Sequence, residues 1–275
     1  MRHGDLTLRE NELPPVDSNG RFIFENFGIT EFMNPDWSYG FDQQLKIADQ
    51  EIVERLEDVF QVQNFMSVQQ FADLKGKKKD QVLDGPYANL FQGKYARPFA
   101  VAIPRVRIVR GGLGKAIAEI FVPAAERGYR SHKAGFPNRA FDTYRKGTLE
   151  GQVASFPGSR QDQLIFALAE RPQVLWVFMN CLQGGSNNAD RELIKQLPQE
   201  FSLGGTITNG TVIAVYPEIA AASNKNPLYF NAADVWGSAC SLCFDPGDSI
   251  LVFAHWSALD NRYGRCSGSV VLRAS

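Results

Sequence analysis

Apolar residues recur at helical spacing in FDQQLKIADQEIVERLEDVFQV, from Phe41. Leu45, Ala48, Ile52, Leu56 and Val59 share one face and acidic residues take the other, which predicts an amphipathic helix. A second, short helix is predicted from Ser67 in SVQQFADL, stopping at Gly76, with Lys77, Lys78 and Lys79 following as an exposed turn. From Tyr95 to Arg110 the pattern changes to strand. ARPFAVAIPRVRIVR alternates apolar and polar residues beyond Pro104, and that proline places the segment at an edge or a bend. GGLGKAIAEIF reads as a glycine turn opening a helix, and DQLIFALAE as a short helix. Residues 127–160 show no clear period.

Past Pro172 the chain reads mostly as strand and turn: QVLWVFMN, GGTITNGTVIAVYP, PLYFNAADVW, DSILVFAHW and GSVVLRA, with one helix, ADRELIKQL, after the turn GGSNN. Five short strands and one helix are the count of a small Greek-key barrel. The expected fold is therefore α+β, with a mixed helical and strand N-terminal region followed by a β-rich, OB-like barrel. The expected organisation is an extended arm over residues 1–20, rich in Pro, Ser, Asn and Gly breakers from Pro14 onward, an α+β domain over 21–165, and a β-rich domain over 170–275.

Composition bounds this picture. The chain has 275 residues, 44% of them apolar, enough to bury a substantial core. The net charge of −1 gives no global attraction to nucleic acid or membrane. The charge is uneven. Residues 1–60 carry thirteen acidic and five basic side chains, while residues 127–147 carry six basic and one acidic. No apolar window of about 18 residues exists, so no membrane span is expected, and the polar N-terminus does not read as a signal peptide.

The four cysteines, Cys181, Cys240, Cys243 and Cys266, all fall past residue 180. Cys240 and Cys243 form one metal-type pair, but a structural zinc site needs a second, and Cys266 stands alone. A redox pair belongs at a helix N-terminus, whereas CSLCFDPGD leads into a strand. The remaining readings are a structural cross-link and buried free thiols.

CSLCFDPGDSILVFA resembles the netrin-like module, the fold shared with tissue inhibitors of metalloproteinases. A cysteine is followed by Phe244, Asp245, Gly247 and Asp248, then the strand Leu251, Val252, Phe253 and Ala254, with a later cysteine, Cys266, before the closing strand. NGTVIAVYP is similar to that family's Gly-Thr-Val strand and LYFNAADVW to its strand ending in Val-Trp, and Cys181 sits where the family has its first cysteine. The resemblance covers about residues 180–273. It implies a five-stranded OB-type barrel in which Cys240 pairs with Cys181 or Cys266. Protease inhibition is not implied: the family uses a cysteine at the mature N-terminus, and Cys181 is internal.

In ERGYRSHKAGFPNRAFDTYRKG, Arg127, Arg130, Lys133, Arg139, Arg145 and Lys146 interleave with aromatics that include Tyr129 and Tyr144. Such a mixture suits an acidic protein surface or single-stranded nucleic acid, and it equally suits a loop with core aromatics and solvated charges. GGLGKA lacks the outer glycine and the Ser or Thr of a phosphate loop. No Gly-x-Ser-x-Gly elbow occurs, and His255 is read as a strand residue rather than a catalytic partner of Cys243 or Cys266. Asn209-Gly-Thr211 is a sequon, usable only in a secreted setting.

These readings lead to a non-catalytic expectation, with no cofactor and no metal. The chain is expected to be a protein-binding module. The alternative is a structural subunit of a virion or other large complex that contacts an acidic neighbour, or nucleic acid, through residues 127–147.

Overall fold

A computed structural model of the chain describes residues 14–33, 47–93, 98–131, 140–144, 146–221, 228–237, 240–247, 250–260 and 266–274. The fold is α+β, as expected, built on one mixed sheet of nine strands.

The amphipathic segment forms α1 (Asp49–Phe60), burying Ile52, Val53, Leu56, Val59 and Phe60; Phe41 to Lys46 lie outside the described residues. The next helix is longer than predicted. α2 (Val68–Leu83) runs through Gly76 and the three lysines. Its start is fixed by a reciprocal capping box between Ser67 and Gln70. Its far end is held by packing: Val82 is buried, Trp176 Nε1 donates to Lys75 O at 2.9 Å, and Lys78 lies 3.9 Å from Glu200. Those contacts offset the cost of an internal glycine. A short helix, α3 (Asn89–Gln92), precedes β1 (Pro98–Ile103). The strand ends at Pro104, and the segment beyond it, expected as strand, is a loop. α4 (Leu113–Ala116) continues through a π turn, Ile117–Phe121, into α5 (Val122–Ser131). β2 (Ala140–Thr143), β3 (Val153–Ser155) and α6 (Gln161–Glu170) follow.

Past Pro172 come β4 (Gln173–Gln183), α7 (Asn187–Gln196), β5 (Phe201–Leu203), α8 (Thr206–Val215), α9 (Glu218–Ala221), β6 (Leu228–Trp236), β7 (Cys240–Pro246), β8 (Ile250–Ala258) and β9 (Cys266–Arg273). Two readings are corrected here. TITNGTVIAV, read as a strand, is the helix α8, buried along all ten residues. CSLCFDP, read as a lead-in, is itself the strand β7, paired with both β6 and β8.

The sheet order is β1-β4-β9-β6-β7-β8-β2, with β3 also on β6 and β5 also on β9. Among the described residues no pairing joins β1 to β2, the two ends of that path. β8 and β9, consecutive in the chain, are separated in the sheet by β7 and β6. β1, β2 and β3 come from the N-terminal side of the expected domain boundary, yet they pair with β4, β8 and β6 from the other side. One apolar core runs from Val16 to Leu272.

The end of the expected arm is docked. Val16 is buried, and the segment after it is held to the end of β4: Phe22 N donates to Cys181 O and Met33 N to Gly184 O, each at 2.9 Å. Residues 1–13 lie outside the described residues.

Candidate docking surface

The thiols are the first candidate set, and all four are free. β7 and β9 lie on opposite sides of β6. Cys240 pairs with Trp236 and Cys266 with Leu228, eight residues apart along β6, so at about 3.3 Å per residue the two lie more than about 20 Å from each other. Cys181, on β4, is one strand further away. Disulfides need Cα atoms within about 7 Å, so neither pairing implied by the netrin-like resemblance fits this sheet order. Cys243 and Cys266 belong instead to a small apolar cluster with Leu228, Phe230 and Ala254. Burial pushes the Cys243 and Cys181 thiols well up. No group of three or more His, Cys, Asp or Glu that could hold a metal occurs among the described residues.

The basic aromatic segment is the second set, and the structure divides it. Arg127 caps a neighbouring helix: its Nε donates to Val59 O, in the last turn of α1, at 2.7 Å. Arg130 Nε bonds Glu126 and its Nη2 bonds Phe141 O. Tyr129 and Phe141 are buried, with ring centroids 6.1 Å apart. Tyr144 is exposed. Lys146 opens a 3-10 turn, Lys146–Thr148, and Lys133, Arg139 and Arg145 lie outside the described residues. Arg127, Tyr129 and Phe141 thus serve packing and capping, not a shared binding face.

A buried polar network is the third arrangement, and the sequence did not reveal it. Asp234 Oδ2 accepts from Thr206 N at 2.7 Å and from Thr206 Oγ1 at 2.6 Å, while Oδ1 accepts from Gln161 Nε2 at 2.8 Å. Asn231 Nδ2 donates to Thr206 Oγ1, Asn209 Nδ2 to Asn231 Oδ1, and Ser269 Oγ to Asn209 Oδ1. Arg191 donates to Ala232 O and Asp234 O and lies 4.1 Å above the Phe156 ring. Burial lowers Arg191 to about 10, opposed by Asp190 and Asp234. Asp234 is raised by burial, with the Thr206 and Gln161 hydrogen bonds pulling the other way. Gly204 and Gly205 open α8 because larger residues do not fit: a Cβ would come within 1.8 Å of Ser269 Oγ and 2.0 Å of Gln161 Oε1 respectively. Asn209 of the sequon is fully buried here, out of reach of glycosylation. These groups are held by one another, which is the arrangement of a structural network that fixes α8 against β6 and β9.

Two pockets are small. One, of about 210 Å³, lies where the Asp17–Arg21 pair and Phe24 face Gln183; the other, of about 160 Å³, lies between α1, α5 and α8. Small-molecule sites usually need about 300 Å³ or more.

The surface offers a clearer feature. The loop after β1 carries Arg105, Arg107 and Arg110, all exposed, with Val109 66% exposed. It is clipped to the end of α6: Val106 N donates to Leu168 O at 3.0 Å and Arg105 Nε to Ala169 O at 2.9 Å. Leu164 and Leu168 point α6 into the core and leave Phe166 75% exposed on its outer side. Gln163, Phe166 and Ala169 are spaced one helical turn apart and so share that side. Arg273 Nη2 bonds Gln163 Oε1 at 2.9 Å. An exposed phenyl ring is therefore bracketed by an arginine anchored at Gln163 and another at Ala169. Arg171 is exposed at the C-terminal end of α6, and Asp162 and Glu170 are the acidic residues of the same helix.

The chain matches no protein-family model, no curated protein and no solved structure. No helix among the described residues is long and apolar enough to cross a membrane.

Proposed function

We propose that the chain is a non-catalytic assembly subunit that docks on another protein through the surface centred on Phe166. The observation that carries this reading is the 75% exposure of Phe166 between the anchored Arg273 and Arg105. Single exposed apolar residues are ordinary, but an aromatic ring among arginines has the composition of an interface hot spot. Leaving a phenyl ring in water forgoes about 1.5–3 kcal/mol that burial against a partner would recover. The arginines are partly held in place by backbone and side-chain bonds, which reduces the entropy lost on docking.

A protein partner is favoured over nucleic acid by the charges on α6 itself. Asp162 and Glu170 lie four residues to either side of Phe166 and are exposed. They would repel a phosphate backbone but fit a protein surface of mixed charge. Assembly is favoured over a netrin-like module because one of the three segments behind that resemblance, NGTVIAVYP, lies largely in the helix α8 rather than in a strand.

The test is a photo-cross-linking amino acid at position 166 of the full chain, expressed in the cells that make it. Adducts to protein, abolished by Arg107→Glu, are expected. Adducts to nucleic acid alone, or no adduct, would overturn the reading.

A further inference from the structure

Resting on that reading, we infer that the partner is a second copy of this chain, presenting the outer face of α1. The observation is charge complementarity between two exposed surfaces of one molecule. On α1, Glu51, Glu54 and Asp58 are exposed and spaced three and four residues apart, so they form one acidic stripe opposite the buried Ile52, Leu56 and Val59. Arg55 lies within the stripe, and that side chain is turned to other work. Its Nη1 donates to Val215 O at 2.6 Å, its Nη2 bonds Glu51 at 2.7 Å, and Glu218 is 3.5 Å away. Among the described residues Glu54 and Asp58 form no salt bridge, Glu54 accepting only an amide hydrogen bond from Gln50 at 2.6 Å. The stripe ends at Gln61, whose left-handed conformation stops the helix, and Val62 stands 40% exposed just beyond.

The docking surface is its counterpart. Arg105, Arg107, Arg110, Arg171 and Arg273 outnumber Asp162 and Glu170 there, so the surface is net basic where the stripe, with Arg55 inside it, is net acidic, and it offers Phe166 where the stripe offers Val62. The two surfaces differ, so contact between them is heterologous and propagates from copy to copy into a ring or a chain, the behaviour of an assembly subunit. Association of this kind weakens as salt screens the charges.

Sedimentation of the full chain tests this. At about 50 mM salt the wild type is expected to grow past the monomer with rising concentration, and at about 500 mM salt to weaken by roughly tenfold. Two variants each remove one surface by truncating exposed residues, which leaves the fold intact: Arg107→Ala with Phe166→Ala, and Glu54→Ala with Asp58→Ala. Each alone is expected to remain monomeric. Mixed, they are expected to form a 1:1 pair and stop, because the first retains only the acidic surface and the second only the basic one. A wild type that stays monomeric at about 100 µM and 50 mM salt overturns the inference, as does either variant associating as the wild type does. The cross-link at position 166 separates the two proposals. An adduct to a different protein removes the second copy but keeps the docking surface, whereas the absence of any protein adduct removes both.

Discussion

Asp234 holds the first residue of α8 twice, accepting from the backbone N–H of Thr206 at 2.7 Å and from its hydroxyl at 2.6 Å. The carboxylate sits at a helix N-terminus, where unsatisfied amides attract negative charge, and Gln161 adds a third hydrogen bond. Asp234→Ala strands those donors in a fully buried site. The expected loss is about 3–5 kcal/mol, read as a lower urea midpoint. Thr206→Val, which removes only the hydroxyl donor to Asp234 and its acceptor for Asn231, should cost less, about 1–3 kcal/mol. Equal losses would mean that the carboxylate is not the centre of the network.

Asp190 has the opposite character. It is fully buried on α7, and neither carboxyl oxygen has a hydrogen-bond partner. A Cβ on Gly185 would lie 2.5 Å from Oδ1 and one on Gly268 2.1 Å from Oδ2, so both oxygens press on glycine backbone. Burial holds the carboxyl well above the ordinary range, against the pull of Arg191. The native state therefore keeps a proton that the unfolded chain releases near pH 3.9. Between those two pKa values the native state binds more protons, so stability falls as pH rises, by about 1.4 kcal/mol per unit. Asp190→Asn lacks this penalty. Its stability relative to wild type should rise between pH 5 and pH 7, measured by urea unfolding at each. A constant difference would show an ionised Asp190.

Which parts of this fold were legible follows from how locally each was determined. α1 and α7 were readable because amphipathic spacing decides them, and β4 because a long apolar run of strand formers decides it. TITNGTVIAV was misread for the converse reason: rich in Thr, Val and Ile, it favours strand by propensity and has no polar face to show a helical period. It is helical because Asp234 caps it and because it is buried on every side, both of which depend on distant residues. CSLCFDP looked like a lead-in because Asp and Pro are turn residues, but β6 and β8 pair along both of its edges. The docking surface was hidden differently. RVRIVR and QLIFALA are both visible, yet 60 residues apart, and only the Val106–Leu168 clip brings them together. In the segment 127–147 the basic and aromatic pattern was visible, but composition alone did not tell that Arg127 caps α1.

Gly76 offers a stabilising substitution. It lies inside α2, and an added Cβ would meet nothing within 4 Å. Gly76→Ala reduces the freedom of the unfolded chain and improves helix propensity at no steric cost, so a gain of about 0.5–1 kcal/mol is expected. Thermal unfolding measures it. The result also probes the helix assignment directly, because a chain that turned at Gly76 and exposed the lysines would gain nothing or lose stability.

Thiol reactivity tests the sheet order. Cys240 is the partly exposed member of the four, and the other three are buried. Burial raises the Cys181 and Cys243 thiols, which further removes the reactive thiolate. Labelling of the native chain by a thiol reagent under non-reducing conditions is expected to show one fast site, mapped to Cys240, and four sites in denaturant. All four thiols are free, and the order of the strands keeps two of the pairs apart: β6 lies between Cys240 and Cys266, and β9 and β6 both lie between Cys181 and Cys240. Fewer than four sites in denaturant would reveal a cross-link. A Cys240–Cys266 link in particular would require β7 and β9 to become neighbours, which would displace β6 and with it the Asp234 network that caps α8.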